Sequence, residues 1–529
     1  MSPGRGSTLL AVCLVAGLVC ARAAYNNTGN TCVQQLRSQS PSTNSIWIDK
    51  DTPSSACTKT RCRSDYYSCL GESGWPKRWD TLESGPAQNK DMVLVFSDEF
   101  DDPNRDFAPG KDYKWQALDL LYVNNDQAVF LNKGVSISDG KLVLTATNEK
   151  NKAPMSTPGG DFLSGEMPYT SGAVQGWNKF CFTGGYMEVS VKMPGDNQKG
   201  GFWPSVFTLG NLGRAGYMRS TDGVWPHSYN TCDAIATQKF INWSNNTQRI
   251  NRCNNTQGRG APEIDLFEVG VWHEGDAELS TSLPIAPLIP NGLNWLDEGF
   301  ADGAMQFATH DSPDLRSRPN PYQGDFLADY VSGVHNLNAS YFNSFQRFGL
   351  DWQPGEHIRW YINDVLIQEI NKKALVARTN LINESVAERF IPLEPSYVNI
   401  FLAMSNTFAP IAPDVPLPAT MEVDYIRIWQ QQDQINIGCS PPDFPTQDYI
   451  NENRNMYLAS GIPGFTDFVG DSSVIGPIGK PPPGPPPPPA TSTPESGSNP
   501  GAAGRAVPSF GLWLLSGLGA LALWRLQAL

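Results

Sequence analysis

Histidine is scarce in this chain. Its five residues, His227, His273, His310, His335 and His357, are scattered, and none forms a metal-ligand pair at helical spacing. No metal centre and no cofactor is expected. Basic charge is scarce too: 39 Lys plus Arg stand against 53 Asp plus Glu, a formal charge of −14. Such a surface repels phosphate backbones and argues against a nucleic-acid partner. Charged residues of both signs make up only 17% of the 529 residues, which fits a packed chain and not a disordered one. Sustained helical periodicity and internal repeats are also missing. Turn-formers and rings are abundant, with 48 Gly, 43 Pro, 15 Trp, 17 Tyr and 24 Phe. That composition suits a rigid, turn-rich protein that handles something neutral.

The two ends set the expected compartment. Residues 9–20, LLAVCLVAGLVC, follow Arg5 and precede Ala21-Arg22-Ala23. This is the layout of a secretory signal peptide, a buried core helix being the alternative. Its removal takes away Cys13 and Cys20 and leaves eight cysteines, an even number that reads as disulfides in an oxidising compartment. Cys32, Cys57, Cys62 and Cys69 are expected to pair locally, while Cys181, Cys232, Cys253 and Cys439 would staple loops of the main body. N-x-S/T acceptor sites for glycosylation stand at Asn26, Asn242, Asn245, Asn254, Asn338 and Asn383. Near the other end, residues 477–489 are almost wholly Pro and Gly, the composition of a semi-rigid stalk. The uncharged run 510–524 is shorter than the roughly 20 residues of a spanning helix. Small residues around Ser496–Ser498, a polar spacer and that apolar tail resemble a GPI-attachment signal. A GPI anchor and a C-terminal transmembrane helix both stay open; either would tie the chain to a membrane, with its body lumenal or extracellular.

Between these ends the pattern is strand-like. YMEVSVKM (186–193) alternates, with Met187, Val189, Val191 and Met193 on one face, as a half-buried antiparallel strand does. IRWYI and VLIQEI flank Asn363-Asp364, which predicts a hairpin with a two-residue turn. KLVLTAT (141–147), NIFLAMS (399–405) and MEVDYIRIWQ (421–430) add strands. The expected fold is all-β, a sandwich or jelly roll. Residues 211–260 and 284–340 are too rich in Asn, Pro, Gly and Ser to be regular and are expected to loop over one mouth of the sandwich. The expected division is a signal peptide at 1–23, a Cys-containing segment at 24–89, the β body at 90–432 and an extension at 433–470. A Pro-rich stalk at 471–505 and a hydrophobic tail at 506–529 complete it.

The segment GRGAPEIDLFEVG (258–270) holds Glu263, Asp265 and Glu268. On a strand the first two share a face, while Glu268, five residues from Glu263, points the other way. One β-bulge within Leu266–Phe267 would bring it back and aim all three acids into one groove. Side chains leaning together would leave about 5 Å between the two Glu carboxyls, the separation of a retaining glycosidase. Glu263 would then be the nucleophile, Glu268 the acid/base, and Asp265 the group that orients Glu263 and helps keep Glu268 protonated. A solvated acidic edge is the competing reading. The apolar Ile264, Leu266, Phe267 and Val269 weigh against it, because they would bury the opposite face of the strand.

PEIDLFE (262–268) resembles the bulged catalytic signature of glycoside hydrolase family 16. VFSDEFDDP (95–103), SGAVQGWNKFCFTGGYMEVSVKMPG (171–195), FWPSVFTLGNLGRAGYMRSTDGVWPHSYNTCD (202–233), MEVDYIRIWQ (421–430) and CSPPDFPTQDYI (439–450) resemble its fungal β-1,6-glucan synthesis-associated branch. The resemblance covers roughly residues 70–460. It implies a concanavalin-like β-jelly roll, a glucan cleft and a retaining mechanism, with Glu263, Asp265 and Glu268 in the roles given above. It also implies a part in building cell-wall β-glucan. That branch resembles type II membrane proteins with a cytoplasmic N-terminal tail, so the tail anchor expected here is a departure from it.

Trp203 and Trp225 lie beside Pro and Gly in segments expected near the cleft and are the candidate sugar-stacking residues, although loop packing beside Cys232 suits Trp225 slightly better. Trp352, Trp360 and Trp429 sit in strand-like stretches and are expected in the core. His273 and His310 are possible groove residues. Hydrolysis, transglycosylation and a glucan-binding scaffold without turnover all stay open.

Overall fold

The computed structural model describes residues 92–458, except 123–125, 157–161, 227–258, 274, 286–304, 308–316, 323–327, 380–384 and 387, together with 47–49, 52 and 58–59. The expected signal peptide, stalk and tail lie outside the described residues, as do all the cysteines except Cys181 and Cys439 and all the glycosylation candidates except Asn338. Among the described residues no helix is long and apolar enough to cross a membrane.

The principal strands are β1 (Met92–Asp98), β2 (Lys141–Ala146), β3 (Ala173–Gln175), β4 (Gly185–Lys192), β5 (Trp203–Gly210), β6 (Glu263–His273), β7 (Asp276–Ile285), β8 (Asp329–Leu337), β9 (Gln346–Gln353), β10 (His357–Ile362), β11 (Val365–Asn371), β12 (Ser396–Ala403) and β13 (Ala419–Gln431). They form two antiparallel sheets. One has ten strands and runs β1-β13-β4-β9-β10-β11 through its middle, with β2 paired to β13. The other has eight strands and includes, in order, β8-β7-β6-β5-β12-β3. The protein is a β-jelly-roll sandwich, the all-β class expected from the sequence.

Alternation explains how the sheets face each other. Met187, Val189 and Val191 of β4 and Phe348 and Leu350 of β9 enter one buried cluster with Ile264, Phe267 and Val269 of β6. Phe267 and Phe348 meet across the layers with ring centroids 4.6 Å apart. Trp352 and Trp360 belong to the same core, and Trp429 is buried as well. The N-terminal segment contributes to it: Trp47 sets its ring 5.1 Å from Phe180, and Thr58–Lys59 pairs with β1.

Two local expectations change. β4 is covered on both faces, because Glu188 on its polar side is buried and accepts hydrogen bonds from the Tyr186 and Tyr425 hydroxyls at 3.3 and 2.9 Å. The stretch expected to be irregular at 284–340 contains β8, which pairs along its full length with β7. Its alternation is masked because Gly333 and His335 occupy its core-facing positions beside Val331 and Leu337. His335 is tolerated there because Ser317 and Thr281 hydroxyls meet its ring nitrogens at 2.5 and 3.1 Å; burial holds its pKa down near 3, the neutral form.

The eight-stranded sheet also carries apolar residues on its other face. Phe207 and Leu209 of β5 and Tyr397 and Phe401 of β12 pack there with Trp177 and Leu212. That explains why WPSVFTLG and SYVNIFLA read as nearly continuous apolar runs.

The hairpin between β10 and β11 turns at Asn363 and Asp364, both at positive φ (49° and 69°). Such a turn prefers Gly at its second position, where a side chain is strained. The Asp364 carboxylate pairs with Arg347, but both side chains are about half exposed, so the pair contributes little. Asp364→Gly is therefore expected to raise unfolding free energy by about 0.5–1 kcal/mol in urea titrations. A loss of stability would show that the ion pair outweighs the backbone strain.

Candidate active site

Strand β6 lies in the middle of the eight-stranded sheet and carries all three acids. In its ladder with β5, Leu209 faces Glu263, Phe207 faces Asp265, Val206 faces Phe267 and Ser205 faces Glu268. The partner strand advances one residue from Phe207 to Val206 while β6 advances two, so Leu266 is the extra residue. The ladder with β7 slips at the same place, with Asp265 opposite Ser282 and Glu268 opposite Ser280. Ile264, Leu266, Phe267 and Val269 all enter the core. The bulge therefore restores the period, and Glu263, Asp265 and Glu268 project from the face opposite the core.

Three indoles hold this arrangement. Trp203 Nε1 donates to Glu268 Oε1 at 2.9 Å, and Trp225 Nε1 donates to Glu263 Oε2 at 3.1 Å. From the opposite sheet, Trp360 Nε1 donates through the core to the main-chain oxygen of Asp265 at 2.8 Å, next to the bulged residue. Trp360 is thus a core residue, as expected, with a polar task besides. Trp225 packs against the second apolar cluster and its indole also reaches Glu263; Cys232 lies outside the described residues.

The surroundings raise the affinity of all three carboxyls for protons. Burial pushes Glu268 up to about 7 against the favourable hydrogen bonds from Trp203 and Ser280. Burial, then the neighbouring Glu268 charge, pushes Glu263 up to about 8, while hydrogen bonds from Trp225 and Asp265 favour its ionised form. Asp265 is raised well above its usual range, by burial first and then by Glu263 and Glu268. Its Oδ2 is buried without a hydrogen-bond partner among the described residues. Asp265 is therefore the acid that keeps its proton and can give a hydrogen bond to Glu263. The two Glu titrate together, with Glu263 the higher because the Glu268 charge opposes its ionisation; protonating Glu268 removes that opposition, so Glu263 ionises more readily while Glu268 holds its proton.

Aromatic side chains line the same face. Phe408 stacks on Trp203 with centroids 4.4 Å apart and planes 6° apart, and Trp272 lies 5.4 Å from Phe408. Sequence reasoning missed both. Trp272 had a signal, since Glu268, Gly270 and Trp272 follow one another at period two on β6; Phe408 sits in a loop after β12 without periodicity. Tyr330 of β8 feels the charges of Glu263 and Glu268 and was hidden in the stretch expected to be irregular. His273 is exposed at the end of β6, beyond the acids, and His310 lies outside the described residues. Asn338 is half-buried at the end of β8, its Oδ1 accepting from the Ser340 amide and hydroxyl at 2.8 and 2.6 Å. Among the described residues, no group of three or more His, Cys, Asp or Glu is arranged to hold a metal ion.

The raised values fix a stability trend. Both Glu carboxyls have folded values above the ordinary 4.5, so between pH 4.5 and about 8 the folded protein retains protons that the unfolded chain releases. Stability from these groups is full below pH 4.5 and falls as pH rises through that window. Glu268→Gln removes one such titration. Its Tm is expected to exceed wild type by about 2–4 °C or more at pH 8 and to match it near pH 4.5. A difference independent of pH would contradict a burial-raised carboxyl.

The geometry can be set beside known proteins. The family described as beta-glucan synthesis-associated protein SKN1/KRE6/Sbg1 matches residues 9–469. Beta-glucan synthesis-associated protein SKN1 of Candida albicans is 34% identical over 411 residues, covering 73% of this chain and 52% of the relative. Beta-glucan synthesis-associated protein KRE6 of Saccharomyces cerevisiae is 31% identical over 421 residues, covering 74% and 54%. The chain thus spans about half the length of the curated relatives it matches. Among solved structures, the catalytic domain of an endo-1,3-beta-glucanase (laminarinase) from Thermotoga petrophila is similar at 19% identity and a TM-score of 0.39, covering 65% of this chain and 99% of that one. The endo-beta-1,3-glucanase from Pyrococcus furiosus is similar at 17% identity and a TM-score of 0.39, covering 64% and 95%. With a family match over most of its length and relatives above 30% identity, this chain belongs to the beta-glucan synthesis-associated SKN1/KRE6/Sbg1 family.

Proposed function

We propose that the protein is a retaining β-glucan glycosidase or transglycosylase, with Glu263 as nucleophile, Glu268 as acid/base and Asp265 as the residue that supports Glu263. The single observation that carries this reading is the bulge at Leu266, which brings two carboxylates with unlike partners onto one face of a buried strand. In the first step the Glu263 carboxylate attacks the anomeric carbon while protonated Glu268 gives its proton to the departing glycosidic oxygen. Neutral Asp265 and the Trp225 indole stabilise the Glu263 charge until it is consumed in the new ester bond. In the second step Glu268, now ionised, removes a proton from the acceptor hydroxyl, which attacks the glycosyl-enzyme and frees Glu263.

The substrate class rests on the relatives, whose names tie them to β-glucan synthesis, and on the aromatic rings beside the acids. Trp203 and Trp225 bring indoles beside the acids, and rings of this kind stack on sugars. A synthetic role favours a sugar hydroxyl over water as the acceptor. The Cys181–Cys439 disulfide fits an oxidising secretory route, in line with the signal-like 1–23 segment and the glycosylation sites. We place the protein at the cell surface or in the secretory pathway, tethered through its C-terminal tail by a GPI anchor or a transmembrane helix.

Purified protein incubated with β-1,3- and β-1,6-linked glucans is expected to yield shortened or newly linked products. Glu263→Gln and Glu268→Gln are each expected to lower turnover by about 10²–10⁴-fold or more while leaving glucan binding in place. Identical product profiles for wild type and Glu263→Gln, with both still binding, would establish a glucan-binding scaffold instead.

A further inference from the structure

We propose that the extension following β13 is a clasp: it grips both feet of the 211–260 insertion and thereby holds the Trp225 indole against Glu263. The inference rests on the reading of Glu263 as nucleophile and adds Arg214 and Tyr457 as positioning residues.

The extension is itself fastened to the sandwich. Cys439 is bonded to Cys181, and the Gly438 amide donates to Cys181 O at 2.8 Å. From there the chain crosses to the face of the eight-stranded sheet that carries the acids, where Ile450 and Tyr457 join the second apolar cluster.

At the outgoing foot, Asn211 Nδ2 donates to Cys439 O and Thr446 Oγ1 at 3.3 and 3.2 Å. The Tyr457 hydroxyl donates to Leu212 O at 2.7 Å, and its ring stacks on Trp177 at 5.1 Å. Arg214 is fully buried, its Nη1 donating to the main-chain oxygen of Tyr457. Its guanidinium lies 4.6 Å from the Trp177 ring and 4.0 Å from the Tyr217 ring. At the returning foot, Arg259 forms a two-pronged bond with Glu394 at 2.6 and 2.8 Å and donates to Pro445 O at 3.0 Å. The feet are joined to each other through Ala261 N to Val224 O and Gly210 N to Pro262 O, both 2.9 Å.

A short bonded path leads from the clasp to the acid. The Arg214 amide donates to Ser220 Oγ at 2.9 Å, the Ser220 amide to Tyr217 O at 2.8 Å, and the Trp225 amide to Thr221 O at 2.8 Å. The Trp225 side chain then meets Glu263. A buried guanidinium is tolerable only while carbonyls and ring faces meet its charge. Arg214 thus makes the conformation of 211–226 conditional on the extension being docked. Among the described residues, the other titratable groups facing Glu263 are Asp265 and Glu268 on its own strand, and Tyr122, Tyr330 and Tyr397 from neighbouring segments. Tyr397 bonds Gly213 and Ala215 and so belongs to the outgoing foot.

The test is a double-mutant cycle in the full chain. Arg214→Met, Tyr457→Ala and Trp225→Phe are each expected to lower kcat/KM about 10-fold or more and to move the acid limb of its pH profile upward. In the Trp225→Phe background neither change should shift that limb further. Tyr457→Phe, which keeps the ring stack and loses the hydroxyl's bond to Leu212, should move it in the same direction by a smaller amount and covers the case in which a harsher variant fails to fold. Full additivity with Trp225→Phe, or reduced Tm with an unmoved pH profile, overturns the clasp. Should wild type show no turnover, the proposed activity fails separately. The clasp is then read from Tm: Arg214→Met steepens the fall between pH 5 and pH 8 in the wild-type background only, and equal slopes in both backgrounds overturn it.

Discussion

The site depends on one extra residue in a central strand. Side chains on β6 alternate with period two, so without a bulge Glu268 would face the core and Phe267 the groove. Leu266 absorbs the difference, and both neighbouring ladders slip around it. A bulge in the middle of a sheet disturbs the ladder, and the indole of Trp360, reaching across the core from β10, supplies a hydrogen bond to Asp265 O at that point. Phe267, kept on the inner face, closes the same region by packing on Phe348. The apolar inner face of β6 and its acidic outer face are two consequences of one local irregularity.

Grouping three carboxyls on a buried strand opposes stability, and the fold offsets that with neutral donors. Among the described residues no Lys or Arg pairs with these acids: Trp203 meets Glu268, Trp225 meets Glu263, and a hydrogen bond from Asp265 favours ionised Glu263. Cations would lower the carboxyl values and hold all three ionised. Indole donors orient the acids while leaving them proton-rich, the state that the proposed acid/base chemistry near neutral pH would use. Arg214, Arg259 and Arg427 are spent elsewhere, on a carbonyl and ring faces, on Glu394 and on Glu99.

Much of this was legible in the sequence because it is periodic. The alternation of β4, the Asn363-Asp364 hairpin and the apolar residues interleaved with Glu263, Asp265 and Glu268 are signals within one strand or one turn. Contacts between distant segments were not legible. Trp225 lies 38 residues from Glu263, and nothing local says that its indole returns to the acid. Cys181 could have paired with any of several cysteines, and its bond to Cys439 spans 258 residues. Strand β8 escaped notice because Gly333 and His335 interrupt its inner face, and the burial of that histidine relies on Ser317 and Thr281 from other strands.

The proposed role of Glu263 requires it to form a bond to sugar, and the bulge serves that role by setting Glu263 and Glu268 on one face of β6. Incubation with an activated, fluorine-deactivated glucosyl donor, followed by proteolysis and mass spectrometry, reads this directly. The expected result is a glucosyl adduct on the peptide bearing Glu263, absent when Glu263 is replaced by Gln. Turnover without any adduct and with inversion at the anomeric carbon, or an adduct on another residue, would contradict it.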